Sequence, residues 1–327
     1  MKTYLGIDVG SISTKLVLIG ERNQILYNLY IRTEGNPIAA VQRGFRNLKT
    51  YIKDNNLEVE IEGVGTTGSA RYLTGVITGA DLIKNEITAH AKGTSFLVPD
   101  VRTIIEIGGQ DSKVIILENG VAVDFAMNLI CAAGTGSFLD AQAFRLKLPI
   151  EKFGELALKS KNPTTIGSRC TVFCESDMIH KQQIGHKLED IVAGLCQGLA
   201  RNFLANVAKG KNIQPPIVFL GGVSENVGMR ESFEKSLEQK IIVPDYNTVM
   251  GAFGVALLVK ENPPPKTKFL GFGVSDRDIK CTSFQCKGCP NHCEVIEAKI
   301  DGKIVARWGD RCGKWSNLGV TDSDKDL

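Results

Sequence analysis

Twice in this chain an apolar strand runs into a tight turn of glycine and small polar residues and returns as a second apolar strand. The first instance is TYLGIDVGSISTKLVLIG and the second TIIEIGGQDSKVIILENGVAVDFAMN. Each reads as a β-hairpin with its polar groups at the tip. The two are separated by a domain-sized interval of about 100 residues, and this recurrence predicts a duplicated α/β domain. Between them, NPIAAVQRGFRNLKTYIKDNN has helical spacing, with Ile38, Val41, Phe45, Leu48 and Ile52 along one face. DLIKNEITAHAKGTSFL is expected as a second helix.

From residue 131 the alternation gives way to helices. The clearest is LEDIVAGLCQGLARNFLANVAKG, in which Ile191, Leu195, Leu199 and Phe203 recur every four residues. PPIVFLGGVSEN reads as a buried strand entering a Gly-rich turn, and GAFGVALLVKEN as a closing helix. The run ENPPPKTK stops that helix, because three prolines cannot continue it and favour an extended chain. The expected organisation is a first lobe over 1–95, a second over 96–260, a Pro-rich linker over 261–270 and a Cys-rich metal-binding module over 271–327.

Composition narrows the function. A chain of 327 residues with 43% apolar content can bury two domain cores. A net charge of +3 with scattered Lys and Arg does not form the basic stripe of a nucleic-acid binder. No apolar run reaches the roughly 18 to 20 residues of a membrane span, and MKTYLGIDVG enters a strand at once without a charged leader and hydrophobic segment. A cytoplasmic location is therefore expected. The nine cysteines then read as metal ligands or redox groups rather than disulfides.

The first hairpin tip carries Asp8, Gly10, Ser11, Ser13, Thr14 and Lys15. Small residues there let backbone N–H groups and hydroxyls approach phosphate oxygens, and a carboxylate before such a loop can hold Mg²⁺ directly or through water. The second tip, Gly108, Gly109, Gln110, Asp111 and Ser112, offers the same chemistry. Asp111 could hold a metal-bound water and Gln110 could orient an attacking water. In Gly221-Gly222-Val-Ser-Glu225-Asn226 two glycines would let an adenine lie against backbone, with Glu225 and Asn226 near the ribose. Gly134 and Gly136 of CAAGTGSF join this nucleotide-binding set.

The ordered set resembles the actin, Hsp70 and sugar-kinase ATPase fold, with two lobes around a nucleotide cleft. Within it NEITAHAKG, EIGGQDSK, CAAGTGSFLD, CTVFCESD and FLGGVSEN resemble the ATP-dependent activators of 2-hydroxyacyl-CoA dehydratases and the ATPase subunits of benzoyl-CoA reductases. The resemblance covers about 1–260. It implies an ATPase that forms a homodimer with one [4Fe–4S] cluster between subunits and passes single low-potential electrons to an iron–sulfur partner enzyme. The implied ligands are Cys131 and Cys170, two from each subunit. If both begin helices, the helix dipoles and free N–H groups favour thiolate and an anionic cluster. The implied electron donor is a ferredoxin or flavodoxin. A small-molecule kinase on the same fold is the alternative.

Cys174 and Cys196 read as buried apolar residues. Glu86 and His90, four apart, read as a polar contact on a helix face. Arg145, Lys147 and Arg169 could steer an acidic partner.

The carboxy-terminal stretch CTSFQCKGCPNHCEVIEAKIDGKIVARWGDRCGKW departs from the short activators. Cys286, Cys289 and Cys293 have the spacing C-x₂-C-x₃-C, and a hairpin turning at Asp301-Gly302 would return Cys312 to the same end. Four such thiolates describe a Zn²⁺ site, with a second [4Fe–4S] cluster as the other assignment. Cys281 is a spare. Similar Cys-rich segments belong to longer relatives, and such a module also fits the reductases of double-cubane cluster proteins, so the acceptor is read as dehydratase-like or of double-cubane type.

Overall fold

The computed structural model describes residues 1–128 and 131–316; the last part of the expected 271–327 module lies outside them. The chain divides into two compact units, Met1–Glu86 with the chain from Gly251 onward, and Ile87–Met250.

The first unit opens with β1 (Lys2–Val9), β2 (Ser13–Gly20) and β3 (Ile25–Arg32), followed by α1 (Pro37–Asp54), β4 (Glu60–Thr67), α2 (Arg71–Thr78) and β5 (Leu82–Ile83). The strands form one sheet in the order β3-β2-β1-β4-β5. Its first three strands are antiparallel neighbours, while β4 and β5 are added in parallel. Asn36 caps α1 by accepting the Ala39 N–H at 3.0 Å, with Pro37 in the first turn. Val41, Phe45 and Leu48 are buried against Leu5, Ile7 and Leu16 of the sheet, with Ile38 and Ile52 at the margin. The apolar face read from the sequence is the face that packs.

The segment expected as one helix over DLIKNEITAHAKGTSFL is two elements. Asp81 exchanges backbone and side-chain bonds with Val64 (2.8 and 2.9 Å), which draws Leu82–Ile83 into the sheet. Only from Glu86 does the chain become helix α3 (Glu86–Leu97). Tertiary pairing here overrides helical spacing.

The second unit continues with β6 (Thr103–Ile107), β7 (Ser112–Glu118), β8 (Val121–Asn128), α4 (Gly136–Arg145), α5 (Phe153–Ala157), α6 (Thr171–Gln183), α7 (Leu188–Asn202), β9 (Ile217–Leu220), α8 (Val227–Leu237) and β10 (Ile241–Ile242). Its sheet has the order β10-β9-β6-β7-β8. From the β8 end this is third, second, first, fourth, fifth strand, the topology of the first sheet, again with the fourth and fifth in parallel. The duplication seen in the hairpins therefore extends to whole sheets. Ile191, Leu195, Leu199 and Phe203 are buried in this unit's core with Phe138, Phe153, Phe219 and Phe233.

The chain returns to the first unit through α9 (Met250–Glu261). This helix lies so close to β1 that a Cβ on Gly6 would stand 1.9 Å from the Ala252 carbonyl oxygen, so only glycine fits there. The Pro-rich stretch after α9 is fastened: Thr267 Oγ1 and Lys268 N–H both donate to Asp81 (2.7 and 2.8 Å). Beyond it β11 (Ile279–Gln285), β12 (Glu294–Ile300) and β13 (Lys303–Trp308) form an antiparallel meander. Asp301 and Gly302, both at positive φ, make the turn between the last two strands. Val274, Ile279 and Ile300 are buried in the first unit's core, and Arg46 of α1 donates to the Ser275 carbonyl at 2.7 Å. No helix among the described residues is long and apolar enough to cross a membrane.

Candidate functional site

In the first unit the Gly10 N–H donates to the Ser13 carbonyl at 2.9 Å and closes the hairpin tip. Asp8 and Lys15 face one another across the hairpin, Nζ donating to Oδ2 at 3.1 Å, with Asp8 buried. Ser11 is exposed and Ser13 buried. Thr14 is fully buried; its hydroxyl lies 3.0 Å from that of Thr33, which donates to the Gly10 carbonyl at 2.9 Å. Thr14 thus supports the tip from beneath, together with Thr33, which carried no motif in the sequence.

The second unit repeats this arrangement. Gly108 N–H donates to the Asp111 carbonyl at 3.0 Å. Glu106 and Lys113 are cross-strand partners, with Lys113 Nζ 2.8 Å from Glu106 Oε2 and the same seven-residue separation as Asp8 and Lys15. Lys113 also donates to Asp111 Oδ2 at 2.7 Å, and its side chain is 2% exposed. Burial pushes the Glu106 carboxyl above the usual range, and the adjacent Lys113 ammonium pulls it back. The positional counterpart of Asp8 is thus Glu106, and Asp111 occupies the place of Ser13. Sequence reasoning singled out Asp111 and Gln110, which is exposed, and passed over Glu106 and Lys113. Their signal was an acid and a base seven residues apart in otherwise apolar strands.

Two further Gly-rich segments dock on this tip. Gly136 N–H and Ser137 N–H donate to the Gly108 and Gly109 carbonyls at 2.8 and 2.9 Å, and Gly134 lies in the single 3₁₀ turn before them. Gly221 has φ 85°, and a Cβ there would fall 2.3 Å from the Ile107 carbonyl oxygen. The tip at 108–111, the segment 134–137 and the turn from Gly221 therefore form one backbone-rich surface of the second unit. Gly222 and Glu225 are exposed beside it. Asn247, absent from the sequence reading, donates through Nδ2 to Ser224 Oγ at 2.8 Å and also to Glu225 Oε1. Asn226 Oδ1 caps α8 by accepting the Met229 N–H at 3.1 Å, while its Nδ2 is buried without a hydrogen-bond partner among the described residues.

Cys131 immediately precedes the 3₁₀ turn Ala132–Gly134 and Cys170 immediately precedes α6, each as N-cap in extended conformation. Cys131 is exposed and Cys170 partly so. The Asn128 side chain clamps the Cys131 backbone on both sides, at 2.8 and 3.1 Å. Asn202, at the end of α7, lies beside both segments: its Nδ2 donates to the Ser168 carbonyl at 2.6 Å, and its Oδ1 lies 3.5 Å from where a Gly134 Cβ would stand. α7 passes at this point into a π-helical turn, Phe203–Val207, a distortion common at functional sites. Arg145 of α4 pairs with Glu175 of α6 at 2.7 Å. The side chain considered for steering a partner thus braces the two helices.

Cys174 and Cys196 are buried, and burial pushes both thiols up to about 12. They lack the accessible thiolate character a cluster ligand needs, whereas Cys131 and Cys170 offer accessible sulfur at helix starts, a donor set that fits iron. Among the described residues no group of three or more His, Cys, Asp or Glu within the chain is placed to hold a metal ion. One chain thus presents two suitable cysteines where such a cluster takes four.

The paired sheets, the duplicated hairpin tips and the glycine surface define an ATPase of the actin and sugar-kinase type. Residues 5–259 match the BadF/BadG/BcrA/BcrD ATPase family, and the chain belongs to it. It is 36% identical to a 2-hydroxyisocaproyl-CoA dehydratase activator of Clostridioides difficile over 77% of this chain and 93% of that protein. It is 28% identical to a subunit of the benzoyl-CoA reductase of Thauera aromatica over 79% and 93% of the two chains. The solved structure of the Clostridium difficile activator with bound ADPNP superimposes with a TM-score of 0.72, covering 80% of this chain and 95% of that one at 34% identity.

Proposed function

We propose that this protein is an ATP-hydrolysing electron donor. Two copies hold one [4Fe–4S] cluster through Cys131 and Cys170 of each, and hydrolysis drives single electrons into an iron–sulfur partner enzyme. The observation that carries this reading is the pair of accessible cysteines, each immediately preceding a helical segment. When bound, the cluster supplies a one-electron couple of low potential.

The chain's own residues do the rest. Cys131 and Cys170 would present accessible sulfur at the starts of their helical segments. In the second unit the tip at 108–111 and the Gly221 turn would offer backbone N–H donors to phosphate oxygens and Gln110 would orient the attacking water; Asp8 and Asp111, each on the hairpin tip of its own unit, are the carboxylates that would hold Mg²⁺ through water. Next to Cys170, Val172 and Phe173 are exposed, the latter at 74%, and Phe144 on the braced α4 is 84% exposed. These apolar groups support pairing with a second copy. Nucleotide then acts by favouring the dimer conformation that docks the acceptor. The relatives' names support an acyl-CoA dehydratase-type acceptor, with a double-cubane cluster protein as the second acceptor class and a ferredoxin or flavodoxin as donor.

The test is anaerobic mixing of the reduced protein with a 2-hydroxyacyl-CoA dehydratase. Reoxidation is expected only with MgATP and is abolished in Cys131→Ala. Equal reoxidation without nucleotide, or by the variant, contradicts the proposal.

A further inference from the structure

The family match ends at residue 259, so the meander β11-β12-β13 is chain that the ATPase reading does not use. One end of it is anchored: Val274, Ile279 and Ile300 are in the first unit's core. The other end carries the cysteines. Along β11 only Ile279 is buried; at the far end Val295 of β12, opposite Phe284, is buried, and Phe284 meets Trp315 edge-on at 5.1 Å.

Three segments converge at that far end. Gln285 is paired with Glu294 at the last register position of β11 and β12, and one step further Cys286 N–H donates to the Cys293 carbonyl at 2.8 Å. Cys286 and Cys293 are therefore directly opposite. The loop between them is a knuckle: Gly288 N–H points at Cys286 Sγ at 3.5 Å, and His292, at positive φ, donates to the Cys289 carbonyl at 3.3 Å. The third segment follows β13. Trp315 Nε1 donates to Cys286 Sγ at 3.3 Å, and Lys314 Nζ lies 3.8 Å from where a Gly288 Cβ would stand. This folds the loop carrying Cys312 over the knuckle.

We infer that Cys286, Cys289, Cys293 and Cys312 bind one metal centre through four thiolates. The sulfurs do not already form a ready ligand group among the described residues; what the fold supplies is the knuckle, the cross-strand pair and the returning loop, with two N–H donors aimed at one sulfur. Such N–H···S bonds stabilise a ligating thiolate. Lys287, Arg311 and Lys314 in the same segments offset the negative charge of a four-thiolate centre. Cys281 is excluded. It pairs with Ala298 in mid-strand, and five residues of extended chain place it about 16 Å from Cys286. The centre would tie the returning loop to the knuckle and the cross-strand pair, as structural metals do in small modules.

The test uses the full chain, purified anaerobically in the Cys131→Ala background, which removes iron bound by the cysteines of the proposed bridging cluster. Metal and sulfide are counted in that protein and after adding Cys289→Ser, Cys312→Ser or Cys281→Ser. Cys289 and Cys312 are exposed, so their loss does not disturb packing. About one zinc per chain, lost in the first two variants and kept in the third, supports a zinc centre. About four irons with equal sulfide, lost in the same pattern, supports the same ligands around a cluster. Metal-free protein, metal retained by Cys289→Ser and Cys312→Ser, or a Cys286–Cys293 disulfide found by peptide mapping overturns the inference. None of these outcomes bears on Cys131 and Cys170, so failure here is separate from failure of the electron-transfer reading.

Discussion

Burial separates the body cysteines into two kinds, and this has a pH signature. For Cys174 and Cys196 burial raises the folded thiol pKa to about 12, above the value near 8.5 of an unfolded chain. The folded state thus favours the neutral thiol. The resulting stability is complete below about pH 8.5 and declines as pH climbs from there toward 12, because the unfolded chain ionises first. In native protein at pH 8 neither thiol should react with iodoacetamide over hours, and both should react once urea unfolds the chain. Labelling of Cys174 in native protein at the rate of an exposed thiol would contradict its placement. At this scale the sequence was partly legible. Cys131 and Cys170 were marked by motif and Cys196 by its place in a periodic helix. Glu106 and Lys113 were missed because a charge inside an apolar strand has no meaning until its cross-strand partner is known, and that partner is fixed by register.

Between elements, the Gly221 turn is the most constrained junction. Its φ of 85° and ψ of 173° lie in a region open essentially to glycine, where another residue costs about 1–3 kcal/mol. The Ile107 carbonyl blocks a Cβ there as well. Gly221→Ala should lower the melting temperature and remove the stabilisation that ADPNP gives the wild-type protein in a thermal shift. An alanine variant with wild-type nucleotide stabilisation would show that this turn is not part of the nucleotide surface. Helices were legible where their apolar period was long, as in α1 and α7. The stretch before α3 was not, because Asp81 fixes Leu82–Ile83 in the sheet through bonds to Val64, a contact outside the reach of local pattern.

For the molecule as a whole, the hairpin repeat disclosed the duplication. The repeated strand order of the two sheets follows from it, since each antiparallel hairpin is extended by strands added in parallel beside its first strand. The return of α9 to the first unit was not legible, since its sequence shows only that it is buried on all sides. Nor was the shared core of Val274, Ile279 and Ile300, because three prolines before them read as a break. The number of copies in the assembly is likewise outside the pattern of one chain. Under the proposed function it enters through chemistry, as two accessible cysteines where the proposed iron–sulfur cluster would take four.

That deficit sets the most direct measurement: iron and acid-labile sulfide per chain in anaerobically purified protein, sized in the same preparation and compared with Cys131→Ala and Cys170→Ala. The account predicts a dimer in which either substitution removes about two irons and two sulfides per chain. Iron content unchanged by both substitutions, or wild-type protein free of iron, would contradict it.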